Sequence, residues 1–190
     1  MFNNLMEDIN QYIYYEGLID SSKLKRLFAL CFSQGLIATI VHRMGVSIRK
    51  LDSRAIRKPL LVFWFVSKKL VEIIFSIHIS GAAELGPGFY IGHFDCFINA
   101  KTGRNVSVSQ GVTLGHAGGG KKGVPIIGDN VYFGAGSKAI GPVKIGSNVK
   151  IGANAVVVKD IPDNSTAVGI PARVIVKDSI SKKKVEAAVA

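Results

Sequence analysis

The sequence has few cysteines and no long hydrophobic run. Cys31 and Cys96 are its two cysteines among 190 residues, and they give neither a disulfide framework nor the spacing of a metal site. The most apolar stretch, 60–66, ends at Ser-Lys-Lys and is far too short to span a bilayer. The first twenty residues carry acidic side chains and lack the basic start of a secretory signal. We therefore expect a reduced, cytoplasmic protein.

Several common catalytic motifs are also absent from the sequence. No group of His, Cys and acidic residues has the spacing of metal ligands, so we expect no metal. There is no nucleophile elbow and no phosphate-binding loop of the GxxxxGK type. These absences exclude the commonest hydrolase and nucleotide-binding signatures.

Acidic residues are scarce relative to basic ones. Lys and Arg number 24 against 13 Asp and Glu, giving a net charge of +11, which suits a phosphorylated ligand, an anionic membrane or nucleic acid. The basic residues are densest at Arg43, Arg49, Lys50, Arg54, Arg57, Lys58, Lys68 and Lys69. With Trp64 and Phe65 nearby, this region either contacts the inner face of a membrane or forms a solvated basic face. We favour the solvated face and expect no nucleic-acid partner.

The dominant pattern is a six-residue period across 127–162. An apolar residue recurs at every sixth position and a glycine follows four of them; the positions are Ile127, Phe133, Ala139, Ile145, Ile151 and Val157. This period matches neither an α-helix nor an isolated strand. It is typical of a parallel β-helix, whose coils have three short faces with one inward apolar residue on each.

The rest of the chain is organised around this repeat. Residues 1–76 are predicted to be a helical region, and residues 77–175 the β-helix. Within the latter, 115–124 lacks the inward period, so we expect a loop that projects from the coil and carries binding residues. Residues 176–190 form a short basic and alanine-rich tail. The predicted fold is mainly β, with an N-terminal α-helical region and a C-terminal tail.

Two of the four histidines are candidate general bases. His93 follows the Ile91-Gly92 corner, where an outward side chain is held rigidly, and His116 lies in the glycine-rich loop. An imidazole can accept a proton from a hydroxyl group at neutral pH. Position alone does not choose between them.

Five segments follow one another in a recognisable order. They are GPGFYIGH at 86–93, VSVSQGVTLG at 106–115, IGDNVYFGAG at 127–136, IGANAVV at 151–157 and VGIPAR at 168–173. Together they resemble the serine acetyltransferase branch of the hexapeptide-repeat acyltransferases. The resemblance implies a left-handed parallel β-helix, assembly as a trimer or a pair of trimers, and acetyl-CoA bound in the groove between neighbouring coils.

The resemblance also assigns roles to individual residues. It implies that His93 is the catalytic base, and His116 is a further candidate for catalysis or acceptor binding. The small residues that would line the CoA arm are Gly134, Ala135, Gly152 and Ala153. Gly115 would lie near the thioester, while Lys159 and Arg173 could meet the CoA phosphates.

Three positions depart from the pattern of the family. Its Asp-His pair is Gly92-His93 here, its Arg-His-Pro is 123–125 (Gly-Val-Pro), and its Asp-Ile-His is 76–78 (Ser-Ile-His). Without the Arg, the carboxylate of serine loses a charge-assisted contact. The Ile-Gly-His-Phe form resembles relatives associated with exopolysaccharide, capsule or lipopolysaccharide synthesis, which acetylate sugars.

We therefore expect an acetyl-CoA-dependent O-acetyltransferase that acts on a sugar or polysaccharide precursor by direct transfer. Serine O-acetylation, as in cysteine biosynthesis, is the alternative enzyme activity. A catalytically silent β-helix that serves in assembly or membrane docking is a third hypothesis.

Overall fold

The structure is a computed structural model that describes residues 2–118 and 123–175. The tail predicted at 176–190 lies outside these residues, as does the centre of the glycine-rich loop. The described part of the chain begins with four helices, as the sequence predicts for this region. They are α1 (Phe2–Tyr15), α2 (Lys23–Phe32), α3 (Gln34–Arg49) and α4 (Arg54–Phe75).

A series of short strands follows the helices. These are β1 (Ile77–Ile79), β2 (Tyr90–Ile91), β3 (Cys96–Ile98), β4 (Lys101–Thr102), β5 (Ser107–Val108), β6 (Thr113–Gly115), β7 (Ile126–Ile127), β8 (Tyr132–Phe133), β9 (Lys138–Ile140), β10 (Lys144–Ile145), β11 (Lys150–Ile151), β12 (Val156–Val157), β13 (Thr166–Val168) and β14 (Arg173–Ile175).

The strands form three sheets in rotation. Sheet A has the order β1-β3-β6-β9-β12, sheet B the order β4-β7-β10, and sheet C the order β2-β5-β8-β11-β13-β14. Neighbouring strands are parallel, except that β14 returns antiparallel to β13. Because successive strands along the chain pass from one sheet to the next, each coil has three faces. The predicted β-helix is confirmed.

The six-residue period fills the interior of this coil. All six positions of the repeat are at most 3% exposed, and Phe133, Ile151 and Val157 are fully buried. Their strand neighbours Tyr132 and Lys150 point outward and are exposed. Alternation along each short strand therefore places one apolar side chain per face inside the coil.

Asparagines turn the corner between sheets B and C. Asn105, Asn130, Asn148 and Asn164 all have left-handed backbone conformations, with φ between 53° and 57°. Asparagine tolerates this conformation better than most residues because its short side chain can form local hydrogen bonds. The side-chain Nδ2 of each of the first three donates to Oδ1 of the asparagine one coil further on, at 3.0–3.1 Å. The ladder holds the coils in register.

A buried ion pair attaches the helices to the first coil. Asp8 of α1 accepts hydrogen bonds from Arg43 of α3 and from the backbone N–H of Phe89, the latter at 3.0 Å. Arg43 also donates to the carbonyls of Leu85 and Gly86, at 3.2 and 2.7 Å. Both charges are satisfied by several partners, which is the condition for burying an ion pair without a large penalty.

The helices leave apolar side chains uncovered. No residue of α2 is buried, and Val71 is the one residue of α4 in that class. No single helix within 2–118 and 123–175 has the length and hydropathy to cross a membrane. Only α2 and α3 taken together, across a bend of 72°, pass that test of length and composition.

Candidate active site

The corner where sheet C passes to sheet A brings several predicted site residues into line. Ile91, Val108, Phe133 and Ile151 are paired on successive strands of sheet C. The turns that follow them are therefore stacked one coil above another. We call the outward residues of these turns the corner column: His93, Gln110, Ala135 and Ala153.

Backbone hydrogen bonds fix the spacing of the corner column. Each coil donates to the next: Gly92 N–H to Val108 O at 2.9 Å, Ser109 N–H to Phe133 O at 3.0 Å, and Gly134 N–H to Ile151 O at 2.8 Å. Three coil steps of about 4.8 Å separate its ends by about 14 Å. The column is thus a straight, rigid edge with a histidine at one end.

The turn that carries His93 has one more residue than the turns above it. Five steps lead from Ile91 to Cys96, whereas four lead from Val108 to Val112, although both pairs are in register. The additional residue makes the chain bulge outward, and bulges of this kind re-aim a side chain. His93 and Phe94 are both exposed in this longer turn. The structure shows no hydrogen bond or ion pair to the His93 imidazole from any described residue.

The two glycines of the predicted CoA site are required by coil stacking. A Cβ on Gly134 would lie 2.6 Å from the backbone N of Ala153, and one on Gly152 would lie 2.8 Å from Val168 Cγ1. Neither approach is tolerable, so only glycine allows the coils this separation. The outward residues are Ala135 and Ala153, which keep the edge of the column low enough for a ligand to lie against it.

Arg173 lies at the far end of the corner column from His93. Its strand β14 places it opposite Val168, and the neighbouring pair Ala167–Ile151 sets Val168 beside Gly152. The side chain of Arg173 is exposed, with no ion pair to any described residue. Since β13 and β14 lie beyond the strand that precedes Ala153, a cation stands about five strand spacings, or roughly 24 Å, from the histidine.

The remaining predicted residues lie on the opposite edge of sheet A. Gly115 ends β6, His116 follows it, and Lys159 follows β12. The three residues of a sheet A strand separate this edge from His93 by at least about 10 Å. Within one chain, the two candidate bases therefore do not meet, and the predicted CoA residues divide between two edges.

Comparison with known proteins shows the family to which the chain belongs. A family model described as bacterial transferase hexapeptide (six repeats) matches residues 125–159. Serine acetyltransferase of Helicobacter pylori (strain ATCC 700392 / 26695) is 42% identical over 151 residues, which cover 76% of this chain and 82% of that protein. The chain belongs to the serine acetyltransferase family. The Mycobacterium tuberculosis serine acetyltransferase is 41% identical over 146 residues, covering 74% of this chain and 60% of that protein.

Solved structures of serine acetyltransferases agree. The Neisseria gonorrhoeae enzyme in complex with serine superposes with a TM-score of 0.74 at 30% identity, covering 90% of this chain and 67% of that one. A serine acetyltransferase in complex with CoA gives 0.69 at 26%, covering 90% and 68%. The chain is accordingly an acetyl-CoA-dependent acyltransferase, as predicted. The predicted preference for a sugar acceptor finds no support in these relatives, which are named for serine.

At two of the positions that depart from the family pattern, 92 and 123, the backbone differs in whether it could accommodate the residue of the family. Gly92 has room: a Cβ there would lie 3.3 Å from Tyr90 Cε1. Gly123 has a φ of +118°, and a Cβ there would lie 2.7 Å from Cβ of Pro142. An Asp at 92 could thus be accommodated by a small shift, whereas an Arg at 123 would require a different backbone.

The acid of the family triplet is also replaced in a defined way. Ser76 ends α4 in a left-handed conformation with φ of 53°. A carboxylate of the same helix contacts the first coil nearby: Oε1 of Glu72 lies 2.9 Å from Nδ1 of His78. The His78 ring stacks on Phe97, with centroids 4.9 Å apart. Glu72 therefore contacts His78 rather than His93.

Cys96 lies close to His93 but is unsuited to covalent catalysis. Its thiol is buried, and burial raises the pKa of the Cys96 thiol. Sγ lies 3.3 Å from the carbonyl of Ser109. Since the thiolate is the nucleophilic form, this environment favours direct transfer without an acyl-cysteine.

Sequence reasoning missed Gln110. It is exposed and occupies the position of the corner column directly above His93. The sequence indicates that Gln110 points outward, because Val106 and Val112 are inward positions of the same coil. Only strand pairing shows that this coil lies next to the one that carries His93. Elsewhere, no group of three or more His, Cys, Asp and Glu residues within 2–118 and 123–175 is arranged to hold a metal ion.

Proposed function

We propose that this protein transfers the acetyl group of acetyl-CoA to the hydroxyl of L-serine, with His93 as general base. The similarity to serine acetyltransferases over 151 residues, including 82% of the Helicobacter pylori protein, carries the choice of acceptor. The exposed His93 at the end of a rigid column of small residues supports its role.

The proposed chemistry is a single displacement. The His93 imidazole accepts the hydroxyl proton while the oxygen attacks the thioester carbonyl. The C–O bond forms, the C–S bond breaks, and the proton then passes to the CoA sulfur. Backbone N–H groups near Gly115 of a neighbouring copy of the chain hold the negative charge that develops on the carbonyl oxygen, because Gly115 and His93 of one chain lie on opposite edges of sheet A. The buried thiol of Cys96 supports this direct route.

The proposed CoA site runs along the corner column. Ala135 and Ala153 leave space for the pantetheine arm beside Gly134 and Gly152, and Arg173 is placed to meet the phosphates. The thioester would then lie near His93. The length of the column, about 14 Å, suits an extended arm of this kind.

We further propose a trimer of left-handed β-helices. Gly115, His116 and Lys159 lie on the edge of sheet A away from His93, so they can complete a site only across a boundary between subunits. The division into a helical region (1–76), an acetyltransferase domain (77–175) and a tail (176–190) is part of the same proposal. Free Cys31 and Cys96 are consistent with a cytoplasmic location. Light scattering that showed a fully active monomer would contradict the shared site.

A sugar hydroxyl is the second candidate acceptor, and Gly123 is the observation that favours it. Recognition of free serine uses a cation for its carboxylate, and the backbone of Gly123 does not admit an Arg. The loss of one charge-assisted hydrogen bond weakens binding by about ten- to a hundredfold. A site that lacks this cation suits a larger neutral ring better than a free amino acid.

One assay separates the two acceptors. Thiol release from acetyl-CoA is measured with L-serine and with a panel of sugars and nucleotide sugars. A kcat/KM for L-serine at or above about 10⁴ M⁻¹s⁻¹ supports the serine proposal. Turnover of a sugar with little or none for serine establishes the second candidate and excludes the first.

A matched pair of variants sharpens the assay. Gly92→Asp restores the carboxylate that the family carries beside its histidine, and Gly92→Asn has the same shape without the charge. If serine is the acceptor, Gly92→Asp lowers its KM by about tenfold or more through contact with the ammonium group, and Gly92→Asn does not. If a sugar is the acceptor, both variants reduce activity through lost space.

A further inference from the structure

Helix α2 presents an apolar face that nothing in the described chain covers. Leu24, Leu27, Phe28 and Phe32 are 60–77% exposed, and their spacing places them on one side of the helix. Helix α2 contacts α1 and α3, and these four side chains remain exposed outside those contacts.

Helix α4 carries a second uncovered face. Ile56, Phe63, Val66, Leu70 and Ile73 are 50–77% exposed and recur at steps of seven, three, four and three. Scattered exposed apolar residues are ordinary, but contiguous ones mark an interaction site. We call these five residues and the four of α2 the docking face.

The charge around the docking face is strongly positive. Segment 23–76 contains eleven Lys and Arg against Asp52 and Glu72, a formal +9 of the net +11 of the chain, and of these cations Arg43 is buried against Asp8. Lys23 and Lys25 of α2, and Lys58 of α4, are exposed and form no ion pair with any described residue. A helix with Leu and Phe on one side and Lys and Arg beside it has the composition of an interfacial helix.

Charge decides which partner the docking face suits. Contact between the docking faces of two copies of this chain would bring two segments of formal charge +9 together, and like charges across an interface oppose that contact. An anionic lipid surface offers both complementary charge and an apolar layer beneath it. We propose that α2 and α4 dock this protein on anionic membranes, with the docking face at the level of the acyl chains and the lysines among the lipid phosphates.

Vesicle flotation of the full-length protein tests the proposal. The protein is mixed with vesicles of phosphatidylcholine alone or of phosphatidylcholine with phosphatidylglycerol. We expect flotation with the anionic vesicles, at least about tenfold weaker binding to the neutral ones, and loss of the difference at high salt. The absence of binding to anionic vesicles overturns the proposal.

Two single variants test the apolar contact. Phe28→Ser and Phe63→Ser each remove one aromatic ring from the docking face, and each should weaken vesicle binding by about tenfold or more. Acetyl-CoA turnover in the absence of vesicles should not change, since both side chains are exposed on helices outside the β-helix. Unchanged vesicle binding in both variants overturns the proposal.

A charge-matched pair tests where the electrostatic contact lies. Lys25→Glu with Lys58→Glu should abolish binding, whereas Lys144→Glu with Lys150→Glu makes the same change of charge on the β-helix and should retain it. Equal losses in the two proteins would show general attraction of a basic chain and overturn the proposal. Light scattering without lipid gives a further test. If Phe28→Ser or Phe63→Ser forms a smaller assembly than the unmodified protein, the docking face joins copies of the chain, and the proposal is overturned.

Discussion

The β-helix and the helical region differ in how far their apolar side chains are buried. Inside the β-helix, all six positions of the repeat are at most 3% exposed, each covered by residues of its own and neighbouring coils. In the helical region, α2 has no buried residue and α4 has one in 22. A repeat closes its own core, whereas the helices keep apolar surface for contacts outside the described chain.

Polar residues show the converse distribution. The helical region buries Asp8, Arg43 and His42, while the β-helix places its asparagines and its candidate base on exposed corners. The helices are therefore held to the first coil by a few specific polar contacts, and the coils by many equivalent ones. Stability should respond to mutation differently in the two regions, and the largest effect on catalysis should come from the corner column.

The largest effect is expected at the corner column. His93→Ala should lower kcat by about 10²–10⁴-fold, the usual cost of a lost general base, without changing the unfolding transition. Thiol release from acetyl-CoA and circular dichroism measure the two. His116→Ala is the comparison variant, with a smaller loss expected. Retention of more than about half of the activity by His93→Ala would remove this residue from the mechanism.

A pair of phenylalanines contrasts the two regions directly. Phe133→Ala should destabilise the protein by about 3–5 kcal/mol, because it empties a fully buried position of the repeat. Phe63→Ala, at a side chain that is 61% exposed, should change stability by no more than about 0.5 kcal/mol. Urea unfolding of the protein without lipid measures both. Similar losses would show that α4 is covered in solution and would weaken the contrast.

The buried histidine of the helical region makes stability depend on pH. Burial, followed by the charges of Arg43, Arg49 and Lys68, lowers the pKa of His42 to about 4. The unfolded chain takes up this proton below about pH 6.5, whereas the folded protein does not until about pH 4. In that window the unfolded state binds more protons, so stability falls as pH falls, by about 3 kcal/mol in total.

Substitution isolates the contribution of His42. His42→Gln removes the titrating group and keeps a side chain that can donate a hydrogen bond. Urea unfolding between pH 7 and pH 4 should show a shallower decline for this variant than for the wild type. Parallel curves for the two proteins would mean that other groups cause the acid sensitivity.

The smallest effect is expected at the asparagine ladder. Asn148→Ala should cost about 1–2 kcal/mol, because alanine is strained at a φ of 57° and breaks the side-chain hydrogen bonds to Asn130 and Asn164. Asn148→Gly relieves the strain and loses only the hydrogen bonds, so it should cost less. Thermal unfolding of the two variants measures the order. The reverse order would show that the conformation of this corner is not what asparagine supplies.

Much of the fold could be predicted because the repeat is local and redundant. The inward positions must be apolar in every coil. Phe133, Ile151 and their equivalents therefore each indicate the β-helix independently. His93 could be singled out as a candidate for the same reason, since it follows a corner glycine. The additional residue beside Phe94 could not be recognised in the same way, because only the register with Val108 and Val112 reveals it.

The sequence by itself determined the coil, the helical region and the candidate residues, because these depend on short-range pattern and composition. Only the tertiary structure decided how those residues group, because the parallel strand pairs join positions 16 to 25 residues apart. It placed Arg173 beyond the far end of the corner column from His93 and assigned Lys159 and His116 to the other edge. It also showed which helix faces remain uncovered, since exposure depends on the packing of the whole chain.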